Sequence, residues 1–427
     1  MNRLKYIAAV ATLLFASGAT AQNAVTDWNN IAITQAKLST APGSATPGGT
    51  GVYVAYVELA VYNAVNAING GFEPYKYTVT APAGASADAA AIEAAYRVLR
   101  YLLPDRDIPA FGAQYGPLTQ QYNTSLSAIP DGQAKTDGKS VGLDSANKLI
   151  QLRANDHRGG PLVPAYTFPG SVVPGVWIPT PPAFAQPQIP WLSQMQPFTF
   201  DDPGQFFPDE APPDLSSQTW ADDYNQVKAL GAATNSTRTP KQTEIGLFWT
   251  DHTSTQYGRT LRELAAGQNL SLSDTSRLFA MAYAAHADAL IGCWNAKYYF
   301  SFWRPVTAIR NGDLDGNPDT VADPSWTPLA ATPGHPEYPS AHGCITGALA
   351  DVLKSYFGTP HVTINVYSAV ANTTSPHTFN NVGDWQKEVE FARIYAGFHY
   401  HHSLVQASVL GHKVARNLIE NYFRPVR

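Results

Sequence analysis

The chain has 427 residues, 14% of them charged, and a formal net charge of −5. That length suits several domain cores or one large helical body. The slight negative balance excludes a basic footprint for nucleic acid and a polybasic membrane patch.

The N-terminus reads Met1-Asn2-Arg3-Leu4-Lys5, then a mostly apolar stretch from Tyr6 to Ala16, then Ala19-Thr20-Ala21. A basic start, a short apolar middle and an Ala-x-Ala site describe a secretory signal peptide, 1–21, cut after Ala21. Its apolar part is too short to span a bilayer. The mature protein is therefore expected to be exported, periplasmic or secreted, and free of the membrane after cleavage. Only two cysteines are present, Cys293 and Cys344. They fall on different predicted helices, so one staple between them and two buried free thiols both stay open.

Residues 22–155 read as an N-terminal helical region. Val52, Tyr56, Leu59, Ala60, Asn63, Ala64 and Ala67 keep helical spacing, and Gly70-Gly71 ends that helix. A second helix, rich in Ala, runs from Ala85 to Leu103 and stops at Pro104; a third spans about Lys135 to Ala154. Residues 156–214 are rich in Pro and aromatics, as in Val176-Trp177-Ile178-Pro179-Thr180-Pro181-Pro182, and are expected to cross over the bundle and wall a pocket.

Residues 215–427 form the C-terminal helical bundle, expected to carry the active site. It begins with a helix over about Leu215 to Leu230. Thr239-Pro240-Lys241-Gln242 then has the order of a capping box with Pro at the first helical position. Ser273-Asp274 opens a long helix running towards Trp303. The stretch Asn311 to Asp319 looks like a calcium loop, but it lacks Gly at the sixth position from Asp313 and has Pro324 where a bidentate Glu belongs, so it reads as a surface turn. Convincing alternating strands are missing, and the fold class is all-α, with helices packed as bundles.

Three blocks of this last region carry chemistry. In Lys297 to Arg304-Pro305 the two cations are seven apart. On one helix that is two turns, about 10 Å along the axis, on one face. Trp294, Tyr298, Phe300, Phe302 and Trp303 surround them, and cations in so apolar a segment need an anion unless both snorkel to solvent. Pro305 favours a helix end here.

The second block, Pro336 to Thr346, places Ser340 and His342 at the start of an apolar helix carrying Ile345, Leu349, Val352 and Leu353. Free N–H groups and the helix dipole make such an end a place for an anion. The plainer reading makes Ser340 an N-cap and His342 a surface residue. The third block runs from Arg393 to His399. On one helix these two would point about 120° apart, so Gly397 is expected to end one helix and let another begin near His399. The run His399, His401, His402 lacks the Cys or carboxylate of a usual zinc spacing.

Together, Lys297-x6-Arg304-Pro305, Pro339-Ser340-Ala341-His342 and Arg393-x5-His399 resemble the signature of the vanadium-dependent haloperoxidase and type 2 phosphatidic acid phosphatase (PAP2) superfamily, and the chain looks most like the soluble bacterial vanadium haloperoxidases. The resemblance implies a helical fold with the site inside a bundle. It implies vanadate held by Lys297, Arg304, Ser340, the Ala341 N–H and Arg393, with His399 as the axial vanadium ligand and His342 as the acid-base group. Substrates would be hydrogen peroxide, a halide and organic acceptors. Trp294 and His335 fall where family members line the halide pocket, and His335 favours bromide or iodide over chloride.

Ala341 replaces the usual Gly, Ala392 the usual Ser, and Ser403 stands where an Asp usually orients the essential histidine. Loss of that Asp counts against the alternative, a soluble acid phosphatase working through a phosphohistidine at His399, because a nucleophilic histidine needs its other nitrogen held. A non-enzymatic oxyanion-binding protein is the third reading.

Overall fold

The structure, a computed structural model, describes residues 23–370 and 375–426. The expected signal peptide lies outside the described residues. The N-terminal region holds α1 (Ala24–Leu38), α2 (Pro47–Asn69), α3 (Ala87–Leu102), α4 (Pro117–Ser127) and α5 (Gln133–Leu152). After a long irregular stretch come α6 (Gln218–Gly231), α7 (Pro240–Phe248), α8 (Thr253–Gly267), α9 (Leu272–Phe300), α10 (Pro305–Arg310) and α11 (Ala341–Phe357). A small hairpin, β1 (Ile364–Val366) antiparallel to β2 (His377–Phe379), precedes α12 (Val382–Tyr395) and α13 (His401–Asn421). The all-α expectation holds.

Local chemistry sets these boundaries. Thr46 accepts from Gly49 N and Pro47 occupies the first turn, so α2 starts five residues before Val52, where the expected pattern begins. The capping box at Thr239 and Gln242 is formed. α2 is long and apolar enough to cross a membrane, yet 83% of its most apolar stretch is buried, packed against α3 and α9. It is a core helix. One apolar core runs from Val25 to Phe423, and a second, aromatic one gathers Trp220, Tyr224, Trp303 and Tyr400.

Two features bring the site together. α11 and α13 pack closely because glycines face the contact: a Cβ on Gly411 would lie 2.3 Å from the Cys344 carbonyl oxygen, and one on Gly343 would lie 2.7 Å from Ala407 Cβ. The close approach draws the N-terminus of α11 against the loop before α13. Second, the irregular crossover docks by its backbone, Trp177 N donating to Ser301 O (2.8 Å) and Gln188 N to Gly334 O (2.8 Å). The expectation that this segment walls a pocket is met by Gln188 and Ile189, which line it.

Candidate active site

Lys297 and Arg304 do not share a helix. α9 ends at Phe300, Ser301 takes a left-handed φ of 47°, and Arg304 is the residue before α10. The two-turn geometry expected from their spacing is therefore wrong, although Pro305 did mark the boundary. Neither side chain snorkels: both residues are 0% exposed.

The Lys297 ammonium donates to the carbonyl oxygens of Pro336 (2.9 Å), Glu337 (2.9 Å) and Pro339. All three of its protons are engaged by the loop before α11, so it serves the site here as a fixed charge and a clamp on that loop rather than as a free donor. Burial, then repulsion from Arg304, lowers its pKa to about 8 against the pull of Cys293 and Glu337.

Arg304 has a partner at each of its nitrogens. Nε donates to His335 O (2.9 Å), Nη1 to Phe398 O (2.9 Å) and to His399 Nε2 (3.2 Å), and Nη2 to His335 Nδ1 (2.9 Å). An arginine only donates, so His335 Nδ1 and His399 Nε2 are both acceptors.

The break at Gly397 is real: its φ is 80°, α12 ends at Tyr395, and α13 begins at His401. Arg393 and His399 then meet in one cavity of about 90 Å³, also lined by Trp294, His335, Ala341 and His342. Trp294 and His335 lie face to face at a tilt, ring centroids 4.8 Å apart, as one wall. The other two histidines turn elsewhere, His402 Nε2 to Ala211 O (2.9 Å) and His401 towards the Phe391 ring, so the three imidazoles converge on no common point.

Ser340 precedes α11 but makes no side-chain cap bond, and its hydroxyl is buried without a partner. The N-cap reading therefore fails. Arg393 gives one bond, Nη1 to Trp249 O (2.6 Å), while its Nε is also buried and unpartnered. The first N–H groups of α11, at Ala341 and beyond, have no carbonyl within their own helix. Burial and Arg304 push Arg393 down to about 9, and burial pushes Arg304 down to about 10.

Three buried cations share this neighbourhood with a single buried carboxylate, Glu337, so the protein leaves positive charge uncompensated. Burial, with Arg393, His286 and Lys297 adding repulsion, drives His342 far below the ordinary imidazole range; burial and the cations Arg304, Lys297 and Arg393 do the same to His399. Orphaned donors, a helix N-terminus and excess positive charge are the complement of a small, multiply charged oxyanion.

Residues 277–427 match the family model described as the VCPO second helical-bundle domain. A solved structure titled as the first bacterial vanadium-dependent iodoperoxidase superposes with a TM-score of 0.75 at 21% identity, covering 94% of this chain and 97% of that one. Over nearly its whole length the chain therefore shares that protein's fold, and its last third resembles the second helical-bundle domain. The holo-type bacterial vanadium-dependent chloroperoxidase shares the fold at TM-score 0.68 and 16% identity, with 93% and 97% covered. The vanadium chloroperoxidase of Curvularia inaequalis is 28% identical over 291 residues, 57% of this chain and 47% of that protein, so the match spans about half of its length.

The site shows one residue that sequence reasoning passed over. His399 Nδ1 lies 2.7 Å from Glu337 Oε1, which also accepts from Tyr400 N (3.2 Å). His399 does have a carboxylate partner, supplied from the loop before α11 instead of from position 403. The inference drawn against a phosphatase from the missing Asp is thereby overturned. The signal in the sequence was an acid inside the Pro-rich, aromatic stretch Pro336-Glu337-Tyr338-Pro339. Cys293 and Cys344 are both free and buried, with Cys293 Sγ donating to Pro339 O (3.5 Å).

Proposed function

We propose that the protein is an exported, vanadate-dependent haloperoxidase that oxidises bromide or iodide with hydrogen peroxide to hypohalous acid. One observation carries this: the buried, unpartnered Ser340 hydroxyl and Arg393 Nε sit among three cations at a helix N-terminus. Such groups are costly to bury unless a ligand satisfies them. They fit a vanadate oxyanion, which Ser340, the Ala341 N–H and Arg393 would hold, with Lys297 and Arg304 as neighbouring charge and His399 Nε2 as the imidazole that would ligate it. When bound, vanadate supplies Lewis acidity towards peroxide.

The chain's own residues do the rest. Glu337 keeps the proton of His399 on Nδ1, leaving the lone pair on Nε2, where Arg304 Nη1 meets it. His342 Nε2, 3.2 Å from Thr253 Oγ1, holds and moves a proton beside the cations. Trp294 and His335 wall the cavity at the positions read as the halide pocket, and His335 is the reason for favouring bromide or iodide. Similarity to a protein titled an iodoperoxidase supports the same choice, and similarity to chloroperoxidases supports the reaction class. Export rests on the N-terminal sequence pattern.

A phosphatase remains the second reading, because a carboxylate on Nδ1 is also what a nucleophilic histidine needs. The cavity, at about 90 Å³, has room for the tetrahedral oxyanion that either reading requires. The test adds orthovanadate to stripped protein and follows peroxide-dependent bromination. Activity that appears with vanadate supports the proposal; hydrolysis of phosphate esters that vanadate inhibits would replace it.

A further inference from the structure

We infer that Glu337 is the positioning residue of His399, fixing its tautomer and ring so that Nε2 faces the cation cluster. The inference deepens the reading of His399 as the ligating imidazole and rests on it for its functional consequence; the tautomer itself rests on geometry alone.

Both nitrogens of His399 have one chemically allowed role each. Nε2 faces Arg304 Nη1 at 3.2 Å, and a guanidinium cannot accept, so Nε2 carries a lone pair. Nδ1 must then carry the proton, and it points at Glu337 Oε1, 2.7 Å away. Any other tautomer would set an N–H against a guanidinium N–H and a lone pair against a carboxylate.

The protein also grips Glu337 from both ends. Lys297 Nζ donates to its backbone carbonyl, and Tyr400 N, in the peptide after His399, donates to its side chain. The carboxylate lies within 4 Å of neither the Lys297 ammonium nor the Arg304 guanidinium and acts on them only at longer range; among the described residues the side chain it contacts at ion-pair distance is the neutral His399 ring.

Retaining this acid is costly. Glu337 is 0% exposed and its Oε2 has no partner, as does the neighbouring Ser403 hydroxyl. An acid kept under those terms, with one oxygen committed to an imidazole, is what a ligand-orienting partner looks like. Ser403 lies on the first turn of α13, beside the Glu337 carboxylate, whose pKa burial raises to about 7 against the pull of Arg304, Lys297 and the Ser403 hydroxyl. A carboxylate placed at 403 would therefore lie in the neighbourhood of the same imidazole.

That proximity supplies the test. In metal-free, oxyanion-free protein, nitrogen NMR of ¹⁵N-histidine, with His399 assigned by His399→Gln, should show the Nδ1–H tautomer in wild type and its loss in Glu337→Ala. Orthovanadate affinity, measured by equilibrium dialysis, should fall by ~10–100-fold in Glu337→Ala. Most of it should return in Glu337→Ala/Ser403→Asp. A merely structural glutamate would not be replaced from position 403, so a double variant that melts like wild type yet binds as weakly as the single one overturns the inference. An unchanged His399 tautomer in Glu337→Ala overturns it as well. If Glu337→Ala does not fold, Glu337→Gln decides: loss of the charge must shift the Nδ1 signal, and an unshifted signal is fatal. A wild type that shows the tautomer but takes up no vanadate would instead end the haloperoxidase reading and leave the positioning role standing.

Discussion

Two arginines, each buried, differ in how far the protein itself satisfies them. Arg153, 4% exposed, has a partner at each nitrogen: Nε donates to Asp156 Oδ2 (2.9 Å), Nη1 to Pro197 O (2.8 Å) and Nη2 to Gln196 O, and its guanidinium lies 4.0 Å from the Phe198 ring centre. Burial alone would lower its pKa, yet Tyr56, Tyr75 and Asp156 raise it overall. Arg393, 3% exposed, has one hydrogen bond, an orphaned Nε and a pKa lowered by burial and by Arg304. The protein completes the first site by itself and leaves the second to be completed by something else.

The sharpest way to break this contrast is to remove each guanidinium. Arg153→Met strands Asp156 in the core and should cost ~3–5 kcal/mol in urea unfolding. Arg393→Met strands no acid, so in oxyanion-free buffer its stability should match or exceed that of wild type. Its orthovanadate affinity should nevertheless drop at least ~100-fold, the loss of two charge-assisted hydrogen bonds. Equal destabilisation in the two variants would mean that Arg393 is structural after all.

A smaller effect comes from the ligand. Orthovanadate at one hundred times its dissociation constant should stabilise wild type by ~2.7 kcal/mol, and thermal melting reads this directly. Arg393→Met should show no such shift at the same concentration. A comparable shift in that variant would place the oxyanion elsewhere.

Lys297 adds a pH dependence that the Arg153 cluster should lack. Its pKa is about 8, and a bound anion would raise it, so above pH 8 binding takes up a proton and affinity falls as pH rises. The limit is about tenfold per pH unit for one proton. Because vanadate itself titrates, the quantity to measure is the difference between wild type and Lys297→Met, which should bind more weakly throughout and lack this step. Parallel profiles would remove Lys297 from the electrostatics of the site.

The order in which these residues fail to announce themselves has physical causes. Local features were legible: the helical spacing of α2, the capping box of α7, the Gly397 break, and the cations at fixed distance from Pro305 and Gly397. α8 could have been read too, since Tyr257, Leu261, Leu264 and Ala265 keep helical period and are buried. The Lys297 to Arg304 geometry misled because Ser301 takes up a left-handed conformation without a Gly or Asn to signal it. Glu337 was invisible to any spacing rule, being 62 positions from the imidazole it holds. Its role depends on how α11 and α13 pack, and that close approach rests on glycines at 343 and 411 whose effect appears only in three dimensions.

The smallest expected effect concerns His335. Its Nδ1 accepts from Arg304 Nη2, so a neutral ring carries its proton on Nε2, and burial with Arg304 and Lys297 keeps it neutral by holding it well below the usual imidazole range. His335→Phe keeps the aromatic contact with Trp294 but deprives Arg304 of one acceptor and the cavity wall of one N–H. One neutral hydrogen bond is worth ~0.5–1.5 kcal/mol, so kcat/KM for bromide relative to chloride should fall only ~2–10-fold. Stability should change little, because Arg304 retains its bonds to His335 O, a backbone group, and to Phe398 O. A ratio that does not move, with vanadate uptake intact, would show that halide choice is set by Trp294 and the cavity's size and not by the imidazole.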